Sequence, residues 1–157
     1  PPIDPAIGLG VRFDRLGPAE KRQGLVEGTL QVGTLRLDIP RGYWPVANLG
    51  APDGLPVTVY DPTGAIAGRI ESVPAAGVGT ILAGEGWTTQ PRPASRKASS
   101  IHVRADGTCV LVAKAGDGYV LAPEAGGAAR AGAWQRLVES ASFVKAARRI
   151  APGREED

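Results

Sequence analysis

Two residues of this sequence have side chains suited to nucleophilic and acid–base chemistry, and they lie close together in the chain. His102 is the only histidine and Cys109 the only cysteine among the 157 residues. They flank Asp106-Gly107, a dipeptide typical of a tight hairpin turn. A two-residue turn there would pair His102 with Leu111 and make His102 and Cys109 diagonal neighbours on one sheet face. Such a placement predicts that a Cys-His dyad is geometrically feasible.

The rest of the sequence argues against an enzyme. Nothing near the pair supplies an oxyanion hole or a nucleophile elbow, and cysteine is more often a small buried hydrophobe. The C-x-x-C, H-E-x-x-H and Walker motifs are absent, and Leu82 stands where a dinucleotide fingerprint needs its third glycine. We therefore predict no catalytic residues, no metal and no cofactor. An enzyme based on His102 and Cys109 is a second alternative, and rapid alkylation of Cys109 would reveal it.

A second group of residues suits the recognition of another protein. Two aromatic side chains follow a turn after the first clear strand, a third precedes a proline-containing polar loop at residues 88–100, and three cations lie in that loop. Aromatic residues and arginine dominate the energetics of protein interfaces. The predicted partner-binding residues are Tyr43, Trp44, Trp87, Arg92, Arg96 and Lys97.

Composition and charge fit one globular domain. The apolar fraction is 43%, close to the globular norm, and the single cysteine excludes an internal disulfide. Residues 1–90 carry 7 Lys/Arg and 9 Asp/Glu, and residues 91–157 carry 11 and 7. Nucleic-acid-binding proteins have a denser basic face, so we expect no nucleic-acid partner. No apolar run reaches the roughly 18 residues that span a bilayer, and the absence of Met predicts a processed chain.

The hydrophobic pattern predicts strands first and a helix near the end. Residues 34–39 alternate as a half-buried strand that ends at Pro40. A hairpin over 55–73 turns at Asp61-Pro62-Thr63-Gly64, a short helix opens at Pro74, and a three-stranded meander covers 99–122. The closing helix has one apolar face, which comprises Trp134, Leu137, Val138 and Ala141.

These elements predict three regions and an α+β fold. Residues 1–34 form an irregular arm with a short helix, residues 35–143 a single domain, and residues 144–157 a charged tail. Because helices must cover the exposed face of an antiparallel sheet, we predict an α/β/α layered sandwich, an antiparallel sheet flanked by helices.

Two motifs resemble those of the PsbP-like and Ran-binding Mog-type superfamily. Residues 40–44, Pro-Arg-Gly-Tyr-Trp, resemble the family's "P-x-G-W" turn, and Ser142-Phe143 resembles the ending of its last helix. The resemblance covers residues 35–143. It implies a PsbP-like layered fold and a small domain that attaches to membrane complexes or other proteins without a common catalytic set.

On this basis we expect a non-enzymatic binding or assembly module that contacts a protein partner, including a position at the periphery of a membrane complex. The expected location is extracytoplasmic, that is, secreted, periplasmic or at the cell surface, and the Ala-, Gly- and Arg-rich composition is typical of a GC-rich bacterial genome. The alternative is a structural subunit of a cell-surface or viral assembly, in which the chain associates with itself.

Overall fold

The computed structural model describes residues 11–15, 26–90, 98–113, 116–124 and 131–144. Two short helices occur in these ranges, α1 (Ala75–Leu82) and α2 (Ala131–Glu139). The other regular elements are strands, which are β1 (Val11–Arg15), β2 (Val26–Val32), β3 (Leu35–Pro40), β4 (Trp44–Val46), β5 (Val57–Tyr60), β6 (Ile66–Val73), β7 (Thr88–Gln90), β8 (Ala98–Val103), β9 (Cys109–Ala113), β10 (Gly118–Pro123) and β11 (Ser142–Phe143).

The strands form two antiparallel sheets. Sheet A has the order β1-β2-β3-β11, and sheet B has the order β4-β5-β6-β10-β9-β8-β7. After β6 the chain passes through α1 to the far edge of sheet B and returns strand by strand until β10 pairs with β6. This excursion places β4 and β7 at opposite edges of the same sheet.

The predicted α/β/α sandwich is therefore wrong, because the fold is mostly β. The helices have only eight and nine residues. Sheet A packs against sheet B across the main core. The segment that was predicted to be an irregular arm contributes β1 and β2 to sheet A. Val11, Phe13, Leu30 and Val32, from β1 and β2, are all buried in that core. The folded unit thus reaches back at least to Val11, beyond the predicted start at residue 35.

One continuous core joins both sheets and α2. Sheet A contributes Leu35, Leu37 and Ile39 from β3, and sheet B contributes the central strands β5, β6, β9 and β10. The predicted apolar residues Trp134, Leu137 and Val138 of α2 are all buried in this core, and so is Ala141, which lies two residues beyond the end of the helix. The helix closes one side of the core by packing on β3 and β10.

A smaller core lies on the other face of sheet B. Val110 and Val112 of β9 pack there against Val78 of α1, whereas Cys109 and Leu111 face the main core. β9 is thus buried on both faces, which explains why its sequence is apolar without alternation. The helix predicted to open at Pro74 is confirmed, since Pro74 is its N-cap.

Three hairpins of sheet B use the same loop. In each, the first residue donates its N–H to the carbonyl four residues later, and a glycine with positive φ donates back to the first residue. The glycines are Gly64, Gly107 and Gly116, with φ of 88°, 92° and 96°. This hydrogen-bond pattern is typical of a three-residue loop closed by a glycine bulge, one residue longer than a two-residue turn. The strands and turns predicted over 55–73 and the meander over 99–122 are confirmed.

None of the described helices is long and apolar enough to cross a bilayer. The predicted N-terminal helix covers residues 18–27, of which 18–25 lie outside the described residues, while Val26 and Glu27 begin β2 instead. The predicted charged tail covers residues 144–157, and all of it except Val144 lies outside the described residues.

Replacing Gly68 with alanine should destabilise the fold. A Cβ at Gly68 would lie 2.6 Å from both the Ala122 carbonyl oxygen and Cζ3 of Trp134, and neither the strand nor the buried ring can retreat. We expect Gly68→Ala to lower the free energy of unfolding by about 2–3 kcal/mol, as overpacking of a core does, measured by urea denaturation. Gly79→Ala in α1 is the matched control, because a Cβ there meets nothing within 4 Å. It should stabilise by up to about 1 kcal/mol, and equal losses in both variants would contradict the packing explanation.

Candidate functional site

The predicted neighbourhood of His102 and Cys109 is wrong by one residue of register. The loop between β8 and β9 is longer than a two-residue turn, so Val103 pairs with Cys109 and His102 pairs with Val110. Paired residues share a sheet face and successive residues alternate. His102 therefore lies on the α1 face, while Cys109 is fully buried in the main core. These two side chains cannot form a dyad.

His102 instead contacts two hydroxyl groups. Its Nε2 lies 2.8 Å from Oγ of Ser100, and its Nδ1 lies 3.0 Å from Oγ1 of Thr89. A neutral imidazole has one donor and one acceptor nitrogen, so one hydroxyl donates to the ring and the other accepts from it. Within the described chain, no carboxylate forms a hydrogen bond with either ring nitrogen. The arrangement fixes the ring and presents two hydroxyls beside it.

Arg104 extends the same face beyond the end of β8. Its guanidinium carbon lies 4.2 Å from the ring centroid of Trp87, within the range of a cation–π contact. Trp87 is held in turn by α1, because its indole N–H donates to the Ile81 carbonyl at 3.0 Å. A Cβ at Gly84 would lie 2.8 Å from Nη2 of Arg104, so the guanidinium sits just past the C-terminal end of α1. The negative end of the helix dipole favours a cation at that place.

The guanidinium of Arg104 forms no ion pair within the described chain, although its charge acts on the carboxylate of Asp106. Its Nε is buried there without a hydrogen-bond acceptor. Such unsatisfied donors are rare in folded proteins, and each costs about 1–3 kcal/mol of desolvation. A guanidinium that is held in place without an ion pair is suited to receive an anion from outside.

We call this surface the β8 strip. It comprises Ser100 and His102 of β8, Arg104 just beyond the end of β8, and two residues from the neighbouring edge segment, Trp87 and Thr89. Ser100 pairs with Val112 and His102 with Val110, so the strip continues the sheet face that α1 covers. The strip is rich in hydrogen-bond donors and contains no carboxylate.

The aromatic pair predicted to bind a partner lies at the other edge of sheet B. Tyr43 is buried, and Trp44 is half-buried and stacks on Tyr60 with ring centroids 5.7 Å apart. These two residues border a pocket of about 380 Å³ that also contains Arg15 and Glu27.

The charges in this second pocket already compensate each other. Nη1 of Arg15 lies 2.6 Å from Oε1 of Glu27, and Oε2 of Glu27 accepts the N–H of Gly42 at 3.2 Å. The pocket around Tyr43 therefore offers no unpaired cation, in contrast to the β8 strip.

Of the six predicted partner-binding residues, the three that the structure describes lie at two edges of sheet B. Trp87 belongs to the β8 strip, Tyr43 and Trp44 lie at the opposite edge, and the cations Arg92, Arg96 and Lys97 lie outside the described residues. The sequence prediction missed Ser100, His102 and Arg104 as a unit, although their i, i+2, i+4 spacing in a strand is the signal that places them on one face.

No metal centre is found in the described ranges, where no three His, Cys, Asp or Glu side chains come together. Comparison with family models, with characterised proteins and with solved structures gives no match. The resemblance to the PsbP-like superfamily stays a prediction, and the fold that it implied is not the one observed.

Asp106, in the loop beside Arg104, has a lowered pKa. The N–H of Thr108 donates to its carboxylate at 2.9 Å and is the main cause, and the Thr108 hydroxyl and the Arg104 guanidinium act in the same direction. A lowered pKa in the folded state stabilises the protein above the unfolded value of about 3.9 and loses that effect as pH falls through the folded pKa.

Asp106→Ala should therefore destabilise the protein slightly, and only at pH values above about 4. Because the carboxylate is exposed, we expect a loss of less than about 1 kcal/mol at pH 7, and the gap to the unmodified protein should close as pH falls below about 4. Urea unfolding at a series of pH values measures this. Asp106→Asn, which cannot titrate, is the control, and its difference from Asp106→Ala should not change with pH. A gap that widens in acid would contradict the assignment.

Proposed function

We propose that the protein is a non-enzymatic binding module that recognises an acidic segment of a protein partner through the β8 strip. The observation that carries the proposal is Arg104, whose guanidinium is held over Trp87 with no carboxylate of the described chain in ion-pair range. A carboxylate of a partner would pair with the charge of this guanidinium, since arginine binds carboxylates with charge-assisted hydrogen bonds. Ser100, Thr89 and His102 would add neutral hydrogen bonds beside it.

The sequence next to the strip supports an anionic partner. The chain that joins Gln90 to Ala98 reads "PRPASRK", with three cations and no carboxylate. Positive charge that is adjacent in the sequence to the strip would attract an acidic segment.

The edge of sheet B supports an extended partner segment. Among the described strands β7 pairs with β8 alone, and its three residues, Thr88, Thr89 and Gln90, are all exposed. An exposed edge strand can pair with an added strand, in which main-chain hydrogen bonds give affinity and alternate side chains give specificity. A peptide strand beside β7 would direct every second side chain towards the face that carries Thr89 and Arg104.

A peptide of alternating glutamate and threonine, labelled with a fluorophore, tests the proposal by fluorescence anisotropy at low salt. We expect saturable binding that Arg104→Gln weakens about tenfold, because one charge-assisted hydrogen bond contributes about 1.5 kcal/mol. Arg12→Gln is the matched control, an exposed strand arginine on sheet A whose charge Asp14 already compensates at 2.9 Å. It should change the affinity less than twofold.

The same assay separates the proposed partner class from others. The lysine counterpart of the peptide should not bind, and a short oligothymidylate should bind more weakly than the acidic peptide. Equal effects of Arg104→Gln and Arg12→Gln would contradict recognition at the strip. Tighter binding of the oligonucleotide would overturn the assignment of a protein partner.

The alternative function, a structural subunit that associates with itself, is favoured by the exposed edges of the sheets, since open edge strands pair readily with other chains. Size exclusion coupled to light scattering over a concentration series distinguishes the two. For a binding module we expect a mass that stays near the 16.2 kDa of the chain. A mass that rises with concentration would favour self-assembly. The extracytoplasmic location is part of the proposal and is tested by fractionating the source cells.

A further inference from the structure

The turn that follows β3 builds a pocket that the β8 strip does not use. The N–H of Tyr43 donates to the Pro40 carbonyl at 3.0 Å, and the N–H of Gly42 donates to Oε2 of Glu27 at 3.2 Å. These two hydrogen bonds hold the chain where it passes from sheet A into β4, at one edge of sheet B. The turn thereby places Trp44 beside the end of β1 and the start of β2.

This pocket, which we call the β4 pocket, has the volume of a small-molecule site. It is lined by Arg15, Glu27, Gly42, Tyr43 and Trp44, and its volume is about 380 Å³, inside the roughly 300–1,000 Å³ of known ligand pockets. The side chain of Arg15 is 40% exposed and that of Glu27 is 21% exposed. A ligand that enters the pocket can therefore contact both charged groups directly.

The indole of Trp44 turns one of its two faces towards this pocket. Tyr60 lies directly opposite Trp44 on the neighbouring strand β5, and the two rings stack with an angle of 19° between their planes. Tyr60 therefore covers the face of the indole that points into sheet B. Tyr60 is not among the described residues that line the pocket, whereas Trp44 is. The face that points away from sheet B is thus the one that borders the pocket.

The charges of the pocket select a neutral ligand. Nη1 of Arg15 lies 2.6 Å from Oε1 of Glu27. An anion would be repelled by the carboxylate and a cation by the guanidinium, so neither gains a net attraction. Within the described chain, that contact with Glu27 is the one hydrogen bond that the five N–H donors of Arg15 make. Donors therefore stand beside an acceptor group, an arrangement that suits hydroxyl groups, since each hydroxyl both donates and accepts.

We infer that the β4 pocket binds a neutral sugar ring. The apolar face of the sugar lies on the free face of Trp44, because the electron-rich face of an aromatic ring attracts positively polarised C–H bonds. The hydroxyl groups at the edge of the sugar accept hydrogen bonds from Arg15 and donate to Glu27. The β4 pocket is independent of the proposed function, because it lies at the opposite edge of sheet B from the β8 strip.

A proline-rich peptide is the alternative occupant, since such peptides also dock on aromatic side chains. Their binding grooves are lined by several aromatic rings, whereas Tyr43 is buried and Tyr60 covers one face of Trp44. Proline also has no N–H to donate, so its carbonyl groups would use Arg15 and not the adjacent carboxylate. The pocket therefore suits a sugar better.

Nuclear magnetic resonance of the ¹⁵N-labelled protein tests the inference with methyl β-D-glucopyranoside as the probe. Two signals report on the pocket, the indole N–H of Trp44 and the backbone N–H of Gly42. We expect both to shift saturably, with a dissociation constant on the order of 1–10 mM, since so small a ligand binds weakly. The indole signals of Trp87, in the β8 strip, and Trp134, in the main core, are internal controls that should not move. Trp44→Phe and Trp87→Phe assign the three indole signals.

Charged analogues of the probe test the neutral class. The methyl β-glycosides of glucuronic acid and glucosamine keep the ring but carry a negative and a positive charge. Each should bind at least about threefold more weakly than the glucoside, because its charge is desolvated without a net attraction in return.

Arg15→Gln should change the preferred ligand. It removes a donor and the cation that compensates Glu27, so we expect about fivefold weaker binding of the glucoside and a preference for the glucosamine glycoside. A purely structural role of Arg15 would weaken all three ligands equally. Arg12→Gln is the matched control on the same strand, since Arg12 pairs with Asp14 at 2.9 Å. It should change each affinity less than twofold.

Two variants of Trp44 test the stacking contact, with the Gly42 amide as the reporter. Trp44→Phe keeps an aromatic ring opposite Tyr60 and should retain the affinity for the glucoside within about threefold. Trp44→Ala removes the ring and should abolish measurable binding. The dispersion of the amide spectrum shows whether Trp44→Ala is folded, and the ligand preference of Arg15→Gln tests the pocket with the indole in place.

Several results would overturn the inference. One is a glucoside that moves neither the Trp44 nor the Gly42 signal. Another is an equal shift of all three indole signals, which would indicate non-specific binding. Tighter binding of either charged glycoside to the unmodified protein would refute the neutral class. A pentaproline peptide that shifts both pocket signals at lower concentration than the glucoside would refute the sugar and favour a peptide ligand.

Discussion

The pairing of β10 with β6 is the contact on which the rest of the structure depends. It joins a meander to a hairpin that is distant in the sequence, with Gly118 opposite Val73 and Pro123 opposite Gly68. Without it, sheet B would be two separate sheets, and α1 would have no continuous face to cover. The same pairing supplies the surface on which α2 packs, because Trp134 fits against the strand at Gly68, where a side chain would collide with it.

The local elements could be predicted from the sequence because their signals are local. Alternation marked β3, the loop from Asp61 to Gly64 marked a hairpin, and helical spacing marked the buried face of α2. The layer arrangement could not be predicted in this way. The strands within residues 1–34 contain glycine and charged residues, and their apolar residues, such as Leu30 and Val32, are buried only because sheet A packs on sheet B. The sequence periodicity of a strand can show that one face is buried, but it does not show which distant layer buries it.

The candidate site likewise has one part that the sequence predicts and another that it does not. Trp87 was identified from its residue type, but its partner Arg104 was not, because a cation–π contact across a strand pair depends on register. The predicted dyad failed for the same reason. A loop longer by one residue moved His102 to the face opposite Cys109, since side chains alternate along a strand. Gly107, whose positive φ builds that loop, thus helps to set which residues of β9 share a sheet face with which residues of β8.

The double burial of β9 has a consequence for how the chain reaches this structure. β9 is apolar along nearly its whole length and needs α1 on one side and sheet A on the other. Its neighbour β10 cannot complete sheet B until it finds β6, a contact between segments far apart in the chain, and such contacts form slowly. During synthesis, β9 therefore leaves the ribosome before its last neighbours exist. An exposed apolar strand in that interval is prone to aggregate, so the yield of folded protein should depend on how quickly β6 and β10 meet.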